Sequence, residues 1–263
     1  MSARTRIVTA VPLIGGFLAA LYWASPGVWT GITGLVLLLA AWEWGAMAGL
    51  GRLHGFLYSS LLCAASLGLA VARPDLLEPY YPALAFWLAA PILMARGVAI
   101  RSQTVQLLLG ALVLIPTHLA MVALRGESPD LLLFVVGLVV IADSAAYFAG
   151  RKFGKHKLAP RISPGKTWEG AIGAGLAVTA YGLAVHFLDP AGCGVACLPQ
   201  ILAVLWSLFA LSIVGDLFES TLKRQAGIKD SGNLLPGHGG VLDRIDSLTA
   251  ALPAATLFWT WLK

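Results

Sequence analysis

Residues 220–246 read STLKRQAGIKDSGNLLPGHGGVLDRID, and they form the most polar run in a very apolar chain. Four glycines fall within residues 232–240, which predicts a loop in the middle of this stretch. Asp243 and Asp246 are three residues apart, so they project from one face if the end of the stretch is helical. Basic residues, glycines and paired carboxylates side by side suit a site for phosphates and a divalent cation. The alternative is a solvated loop between two helices, although charges that enter an apolar segment are costly without a use.

The composition of the whole chain indicates an integral membrane protein. The 263 residues are 58% hydrophobic and only 12% charged, with a mean hydropathy of +0.81. A soluble domain usually has about 25% charged residues. A single membrane domain, residues 1–263, accounts for the full length. The net charge of +5 is explained by membrane topology, so we expect no nucleic-acid partner.

Nine apolar segments of roughly the length needed to cross hydrocarbon follow one another along the chain. Their limits are 7–24, 28–49, 56–72, 80–96, 104–124, 131–150, 168–187, 199–222 and 247–262. Lipid cannot satisfy exposed backbone groups, so helix is the expected state. The predicted fold class is therefore an all-α polytopic membrane protein with about nine transmembrane helices. The first segment resembles a signal peptide, but Tyr22 and Trp23 suit a membrane interface and favour an uncleaved span.

The distribution of lysine and arginine predicts the orientation of these helices. With the N-terminus in the cytoplasm, all but three of the 18 basic residues fall on the cytoplasmic side, the exceptions being Arg73, Arg125 and Lys263. Cytoplasmic loops of membrane proteins carry such an excess of positive charge. The bias therefore supports both the direction and the number of spans.

Carboxylates lie at a common depth in three of the predicted spans. Glu43, Asp143 and Asp216 are each seven residues, or about 10 Å, from the cytoplasmic end of their helix. Several intramembrane acids at one level predict a polar cavity open to the cytoplasm. Two of these acids belong to residues 131–263, the predicted catalytic half, whereas residues 1–130 are mainly apolar spans. Glu43 is either a site residue or a hydrogen-bonded structural glutamate.

A basic loop precedes the seventh span and contains Ser163-Pro164-Gly165-Lys166, which is predicted to be a turn. Free amides at a helix start, with a lysine alongside, form an anion site. The glycine spacing is not that of a Walker loop. The excess of basic residues that is usual in cytoplasmic loops of membrane proteins explains these charges equally well.

At these residues the sequence resembles the bacterial phosphatidate cytidylyltransferases, also called CDP-diacylglycerol synthases. The matching positions of the family signature are Ser220, Leu222, Lys223-Arg224, Lys229-Asp230, His238-Gly239-Gly240 and Asp243-Arg244-Ile245-Asp246. A second match runs over Asp143 to Gly150, Lys155-His156-Lys157 and Ser163-Pro164-Gly165-Lys166-Thr167-Trp168. The resemblance covers about the last 120 residues closely, and the earlier spans match only in being apolar.

The resemblance implies that CTP and phosphatidic acid react to give CDP-diacylglycerol and pyrophosphate. It also implies magnesium, a homodimer, and a multi-pass protein of the bacterial inner membrane whose active site faces the cytoplasm. A second cation, monovalent or divalent, would be compatible with this site.

The site residues that we predict fall into three groups. The metal ligands are Asp216 and Asp243, followed by Asp246. The groups that hold the phosphates of CTP or of the lipid are Lys223, Arg224 and Arg244, with Ser163 and Lys166 for the second anion. Further substrate-binding residues are Asp143, Lys229, His238, Gly239 and Gly240. His238 has three open roles, which are binding pyrophosphate, acting as an acid and capping the loop.

Rival functions remain open at the level of sequence. A cation-coupled transporter would also explain intramembrane acids, although such proteins often contain paired repeats. A CTP-dependent lipid or polyprenol kinase would use the same nucleotide but release CDP. The Asp-Gly-x-x-Ala-Arg start of the CDP-alcohol phosphatidyltransferases is absent. Cys193 and Cys197 form either an extracytoplasmic disulfide or two free thiols.

Overall fold

A computed structural model describes residues 3–188, 198–234, 237 and 239–262 of the protein. Over these residues the chain forms nine helices and one two-stranded hairpin. The elements are α1 (Ala3–Trp23), α2 (Pro26–Met47), α3 (Arg52–Ala72), α4 (Tyr80–Ala95), α5 (Gln103–Glu127), α6 (Pro129–Phe153), β1 (Lys157–Ala159), β2 (Ser163–Thr167), α7 (Trp168–Leu188), α8 (Leu198–Gln225) and α9 (Leu242–Leu262). The prediction of an all-α polytopic membrane protein is confirmed, and each predicted span overlaps one helix.

The helices differ in how well they suit a membrane span. Among the described residues, six are long and apolar enough to cross a bilayer, namely α2, α3, α5, α6, α7 and α8. Helices α1 and α4 offer shorter apolar stretches, Val11–Trp23 and Tyr80–Ala95. Helix α9 belongs to neither group, so the exact number of spans stays a prediction.

Helix α9 lies at the centre of the bundle. Every residue from Thr249 to Leu257 is buried, and the helix packs against α8, α5 and α4. It is tied to its neighbours by hydrogen bonds, as where Thr117 of α5 donates from Oγ1 to the carbonyl of Thr249 at 3.3 Å. A helix surrounded by protein does not need the apolar surface that lipid demands.

Local sequence signals explain where several helices begin. Ser25 caps α2 by accepting a hydrogen bond from the Val28 amide, and Pro26 occupies the first helical position. Ser128 and Pro129 repeat this arrangement at the start of α6. A serine cap satisfies an amide that has no partner within the helix, and proline lacks the amide that would be unpaired there.

Basic loops predicted to share one side of the membrane meet at one end of the bundle. The Ile100 amide, after α4, donates to Oε1 of Gln225 at 3.1 Å. Arg224, at the end of α8, donates from Nε to the carbonyl of Ile162 in the hairpin at 3.4 Å. Loops separated by more than 60 residues are thereby held at the same level.

The opposite end is closed by contacts between the ends of α1, α5 and α6. Tyr22 donates from its hydroxyl to Asp130 at 2.5 Å. Arg125 donates from Nε to the carbonyl of Leu21 at 3.1 Å, at the C-terminus of α1. An arginine suits this position because helix ends expose unpaired carbonyls with a partial negative charge.

Candidate active site

A cavity of about 550 Å³ opens where α6, the hairpin, α7, α8 and the start of α9 meet. It is lined by charged groups of α6, the hairpin, α8 and α9 and by small or apolar residues of α6, α7 and α8. Seven of the predicted site residues line it, namely Asp143, Ser163, Lys166, Asp216, Asp243, Arg244 and Asp246. Side chains from four separate elements are thus brought to one place.

The segment predicted as a turn at Ser163–Lys166 is instead part of strand β2. It pairs with β1 in antiparallel register, with Lys157 opposite Thr167. Thr167 caps α7, since its Oγ1 accepts from the Gly170 amide at 3.1 Å. The Trp168 amide is also paired, with the His156 carbonyl at 2.9 Å, so fewer amides at the start of α7 are free for an anion than predicted. The hairpin instead contributes side chains to the cavity.

Lys166 connects the hairpin to α8 across the cavity. Its Nζ lies 2.6 Å from Oδ2 of Asp216, and both side chains are about one quarter exposed, at 25% and 24%. The other oxygen of Asp216 accepts from the Ser220 hydroxyl at 3.2 Å. The pair therefore sits where a bound anion could compete for the lysine and a bound cation for the aspartate.

Three acids give the cavity its negative end. Asp143, Asp216 and Asp246 are near enough for their charges to interact, and Lys166 and Arg244 act on Asp143 with the opposite sign. Asp143 is exposed within the cavity, and Asp246 accepts from the Ser247 amide at 2.7 Å. This end can therefore attract a cation, while the basic side chains beside it can attract phosphates.

Asp243 has a different environment although it also reaches the cavity wall. Its Oδ1 lies 2.6 Å from Nζ of Lys223, and its Oδ2 accepts from the amides of Ser231 and Gly240 at 2.9 and 2.8 Å. Both oxygens are therefore engaged by the protein. A metal ion at Asp243 would have to share or displace one of these contacts, so its role as a ligand stays a prediction.

Lys223 is placed away from the cavity lining, in contrast to the prediction that it holds a phosphate. It is buried between two carboxylates, with Nζ 2.9 Å from Glu219 and 2.6 Å from Asp243. A lysine with two acidic partners at low exposure offers no free charge to a nucleotide. In this arrangement Lys223 holds the start of α9 against α8.

Two other predicted phosphate ligands also lie apart from the residues that line the cavity. Arg224 is exposed and donates to the carbonyls of Ile162 and Ile228, at 3.4 and 3.2 Å. Lys229 is exposed in the loop after α8. Arg224 therefore links two loops in this structure, and contacts between either residue and substrate remain predictions.

The glycines of the signature serve the loop itself. Gly239 has a φ of 82°, which favours glycine, and an added Cβ there would lie 2.6 Å from Oδ2 of Asp243. The amide of Gly240 is paired with the same carboxylate. The Gly240 amide would have to leave this carboxylate to bind substrate, so the substrate-binding role of Gly240 stays a prediction. His238 lies outside the described residues, as do Cys193 and Cys197.

The acids of the cavity suit magnesium in type but do not form a complete cage. In the described ranges, no three His, Cys, Asp or Glu side chains converge closely enough to hold a metal ion. Magnesium prefers oxygen ligands and commonly uses only one or two carboxylates, together with waters and substrate phosphates. Asp216 and Asp246 fit that pattern, because each lines the cavity. Asp246 accepts one hydrogen bond, whereas Asp216 is held by Lys166 and Ser220, so a cation at Asp216 would have to displace the lysine.

Sequence reasoning gave no role in the site to four polar residues that line the cavity, Tyr147, Arg151, Lys157 and Thr167. Arg151 donates from Nη1 to the Tyr147 hydroxyl at 3.2 Å, one turn away on α6. The charge of Arg151 was explained by membrane topology, and Lys157 was part of the family resemblance without a role in the site. Arg151 lies on α6 and Lys157 on β1, so the sequence could indicate that both face the cavity only if the hairpin were predicted.

Of the two interpretations left open for Glu43, the structural one is confirmed. Its carboxylate is buried and accepts hydrogen bonds from the polar loop, with Ser231 Oγ at 2.8 Å. It lies outside the set of residues that line the cavity.

Comparison with known proteins gives this cavity a context. The sequence model of the cytidylyltransferase family matches residues 4–262. A phosphatidate cytidylyltransferase of Pseudomonas aeruginosa is 40% identical over 97% of both chains. One of Haemophilus influenzae is 38% identical over 97% of this chain and 98% of its own. One of Brucella suis is 51% identical over 53% of this chain and 52% of its own. With nearly its full length matched, the chain belongs to the cytidylyltransferase family.

Proposed function

We propose that the protein is a phosphatidate cytidylyltransferase, which converts CTP and phosphatidic acid to CDP-diacylglycerol and pyrophosphate. The observation that carries the proposal is the cavity, in which four acids and several bases meet within a bundle of apolar helices. A lipid phosphate and a nucleotide can both reach such a site if it opens at the membrane surface. The names of the relatives agree with this substrate pair.

The reaction is an in-line transfer of a nucleotidyl group. An oxygen of the phosphatidic acid phosphate forms a bond to the α-phosphorus of CTP. The bond from that phosphorus to the oxygen bridging to the β-phosphate breaks, and pyrophosphate leaves with the electron pair. The attacking phosphate is already ionised near pH 7, so no separate base is required. Alignment of two anions and neutralisation of their charge are the main tasks of the protein.

Different basic residues bind the two anionic substrates. Arg244, at the start of α9, binds the triphosphate of CTP, because a guanidinium can form paired hydrogen bonds to phosphate oxygens. Lys166 of the hairpin binds the phosphate of the lipid, exchanging its contact with Asp216 for the substrate. Arg151 and Lys157 add positive charge on the same side of the cavity as the hairpin. Both anions are thereby held in one space.

Magnesium is the proposed cofactor, and Asp216 and Asp246 are its proposed protein ligands. When bound, the ion would neutralise phosphate charge and favour departure of pyrophosphate. Asp216 would hold the cation in place of its contact with Lys166, which would leave that lysine free to bind the lipid phosphate. Asp243 would contribute mainly by holding the loop and α9 in place. A second cation, bound by the other acids of the cavity, is proposed as well.

The protein is further proposed to be a homodimer of the bacterial inner membrane, with the cavity on the cytoplasmic side. The end of the bundle that holds Ile100, Gln225 and the hairpin carries the basic loops, which supports this orientation. The dimer rests on the family resemblance and is tested by the mass of the purified protein in detergent.

The decisive experiment identifies the products made by the purified protein in detergent from labelled CTP, phosphatidic acid and magnesium. Pyrophosphate together with a cytidine-containing lipid is the expected result. Release of CDP with a newly phosphorylated lipid would instead assign a kinase. No lipid product under conditions where the protein remains folded would refute the proposed function and leave a transporter as the main alternative.

A further inference from the structure

The buried carboxylate of Glu43 contacts the loop that precedes α9, although the two are almost 200 residues apart in sequence. Glu43 lies on α2 and is only 6% exposed. Its Oε1 accepts from the Val241 amide at 3.0 Å. Its Oε2 accepts from the Leu242 amide and from the Ser231 hydroxyl, both at 2.8 Å. One side chain thus receives three hydrogen bonds from both ends of a single loop.

Two glycines show that the loop is shaped around this carboxylate. A Cβ added at Gly232 would lie 2.5 Å from Oε1 of Glu43. One added at Gly240 would lie 2.3 Å from Oε2 and 2.2 Å from the hydroxyl of Ser231. Real Cβ atoms do not approach other atoms so closely, so any larger residue would push the loop off α2. Close approach of backbone to a functional group is a characteristic use of glycine.

The bonds to Glu43 also fix the start of α9. Leu242 is the first residue of that helix, and its amide would otherwise be among those without a partner inside the helix. A carboxylate near a helix N-terminus is stabilised by the unpaired amides. Ser231 joins Glu43 to Asp243, since its hydroxyl donates to the first and its amide to the second. The two carboxylates together hold the loop.

We propose that Glu43 is a positioning residue for the transfer reaction, which holds Ser231, Val241 and the first turn of α9 so that Arg244 and Asp246 face the cavity. This inference rests on the proposed function, because it assigns those two residues to CTP and magnesium. It gives the first half of the chain a direct part in the site. Glu43 itself touches neither substrate.

The Glu43→Gln variant tests this role while preserving the size of the side chain. One acceptor oxygen becomes an NH₂ group, so at least one backbone amide, Val241 or Leu242, then faces another donor. We expect KM for CTP and the magnesium concentration giving half-maximal rate each to rise about tenfold, with KM for phosphatidic acid nearly unchanged. A general loss of folded protein would lower the maximal rate, but it would not raise KM for CTP while leaving KM for phosphatidic acid unchanged. Thr33→Val, a buried polar change on the same helix, should leave all three constants unchanged.

A second variant covers the case in which Glu43→Gln does not fold. Ser231→Ala removes only one of the three bonds, so a rise of about threefold in KM for CTP is expected. Combining it with Glu43→Gln should add little to the effect of Glu43→Gln alone, because the two groups act through the same contact. Fully independent effects of the two changes would count against the proposal.

Amide hydrogen exchange of the intact protein gives a readout that does not depend on activity. In Glu43→Gln, exchange in the segment containing Val241 and Leu242 should become faster, while that of α3 stays the same. Unchanged exchange and unchanged kinetics in both variants would overturn the inference. The wild-type protein could also fail to make CDP-diacylglycerol while exchange is still faster in Glu43→Gln. That result would support the positioning role and refute the proposed reaction.

Discussion

Asp216→Asn is the change that tests the proposed chemistry most directly. It removes the negative charge that lies 2.6 Å from Nζ of Lys166 and keeps the shape of the side chain. The hydrogen bond from the Ser220 hydroxyl can remain, because asparagine keeps one carbonyl oxygen. The variant therefore isolates the charge of Asp216 from its volume.

The structure predicts a large effect on the reaction and a small one on stability. The ion pair with Lys166 is partly exposed, and such pairs contribute at most about 1 kcal/mol to stability. In the reaction, Asp216 would lose its contact with the cation and its control of Lys166. Each charge-assisted interaction is worth about 1.5–3 kcal/mol, so kcat/KM should fall by roughly 100-fold to 10,000-fold.

The assay measures incorporation of labelled CTP into lipid by purified protein at several magnesium concentrations, beside thermal unfolding in the same detergent. Asp75→Asn is the matched control, since Asp75 is exposed at the opposite end of the bundle and should keep wild-type activity. If Asp216→Asn stayed within a few-fold of wild type with the same magnesium dependence, the assignment of Asp216 would be wrong.

Three further changes separate the roles of the neighbouring residues. Lys166→Gln should raise KM for phosphatidic acid about tenfold and leave the magnesium requirement unchanged, as measured by initial rates. Asp243→Asn should lower both activity and unfolding temperature, because it removes a charged partner from buried Lys223, a change that costs about 3 kcal/mol. Gly173→Ala should destabilise the packing of α6 on α7 by about 1–3 kcal/mol, since its Cβ would lie 2.4 Å from that of Ala149. Gly68→Ala has nothing within 4 Å of the new Cβ and should not lower the unfolding temperature.

Each of these changes has an outcome that would contradict it. If Lys166→Gln raised only KM for CTP, Lys166 would be assigned to the nucleotide and not to the lipid phosphate. An Asp243→Asn variant with normal stability would show that Lys223 does not depend on that partner. Equal unfolding temperatures for Gly173→Ala and Gly68→Ala would mean that the contact between α6 and α7 accommodates the added methyl group without loss of stability.

The hydropathy and charge of the sequence were sufficient to predict the class of the fold and the order of its helices. A membrane span is specified by about 20 neighbouring residues, so its signal is local and can be read without knowing which helices pack together. The common end of the basic loops follows from charge in the same way. The candidate acids were also predictable, because Asp143 and Asp216 are conspicuous in apolar surroundings.

Sequence did not reveal which charged residues face the cavity and which face one another. Lys223 and Lys166 carry the same charge on neighbouring signature segments, yet one is enclosed by two acids and the other lies at the cavity. The hairpin was missed because strands as short as β1 and β2 have no periodic pattern, and their pairing is what defines them. The same limit concealed Arg151 and Lys157.

By itself, the sequence determined that this is a helical membrane protein whose polar chemistry is concentrated at one end. Only the tertiary structure decided that α9 is the central helix and that Glu43 of α2 holds the loop before it. The physical reason is that burial, ion pairing and hydrogen bonding depend on residues distant in sequence but adjacent in space. Hydropathy and topology depend on neighbours along the chain.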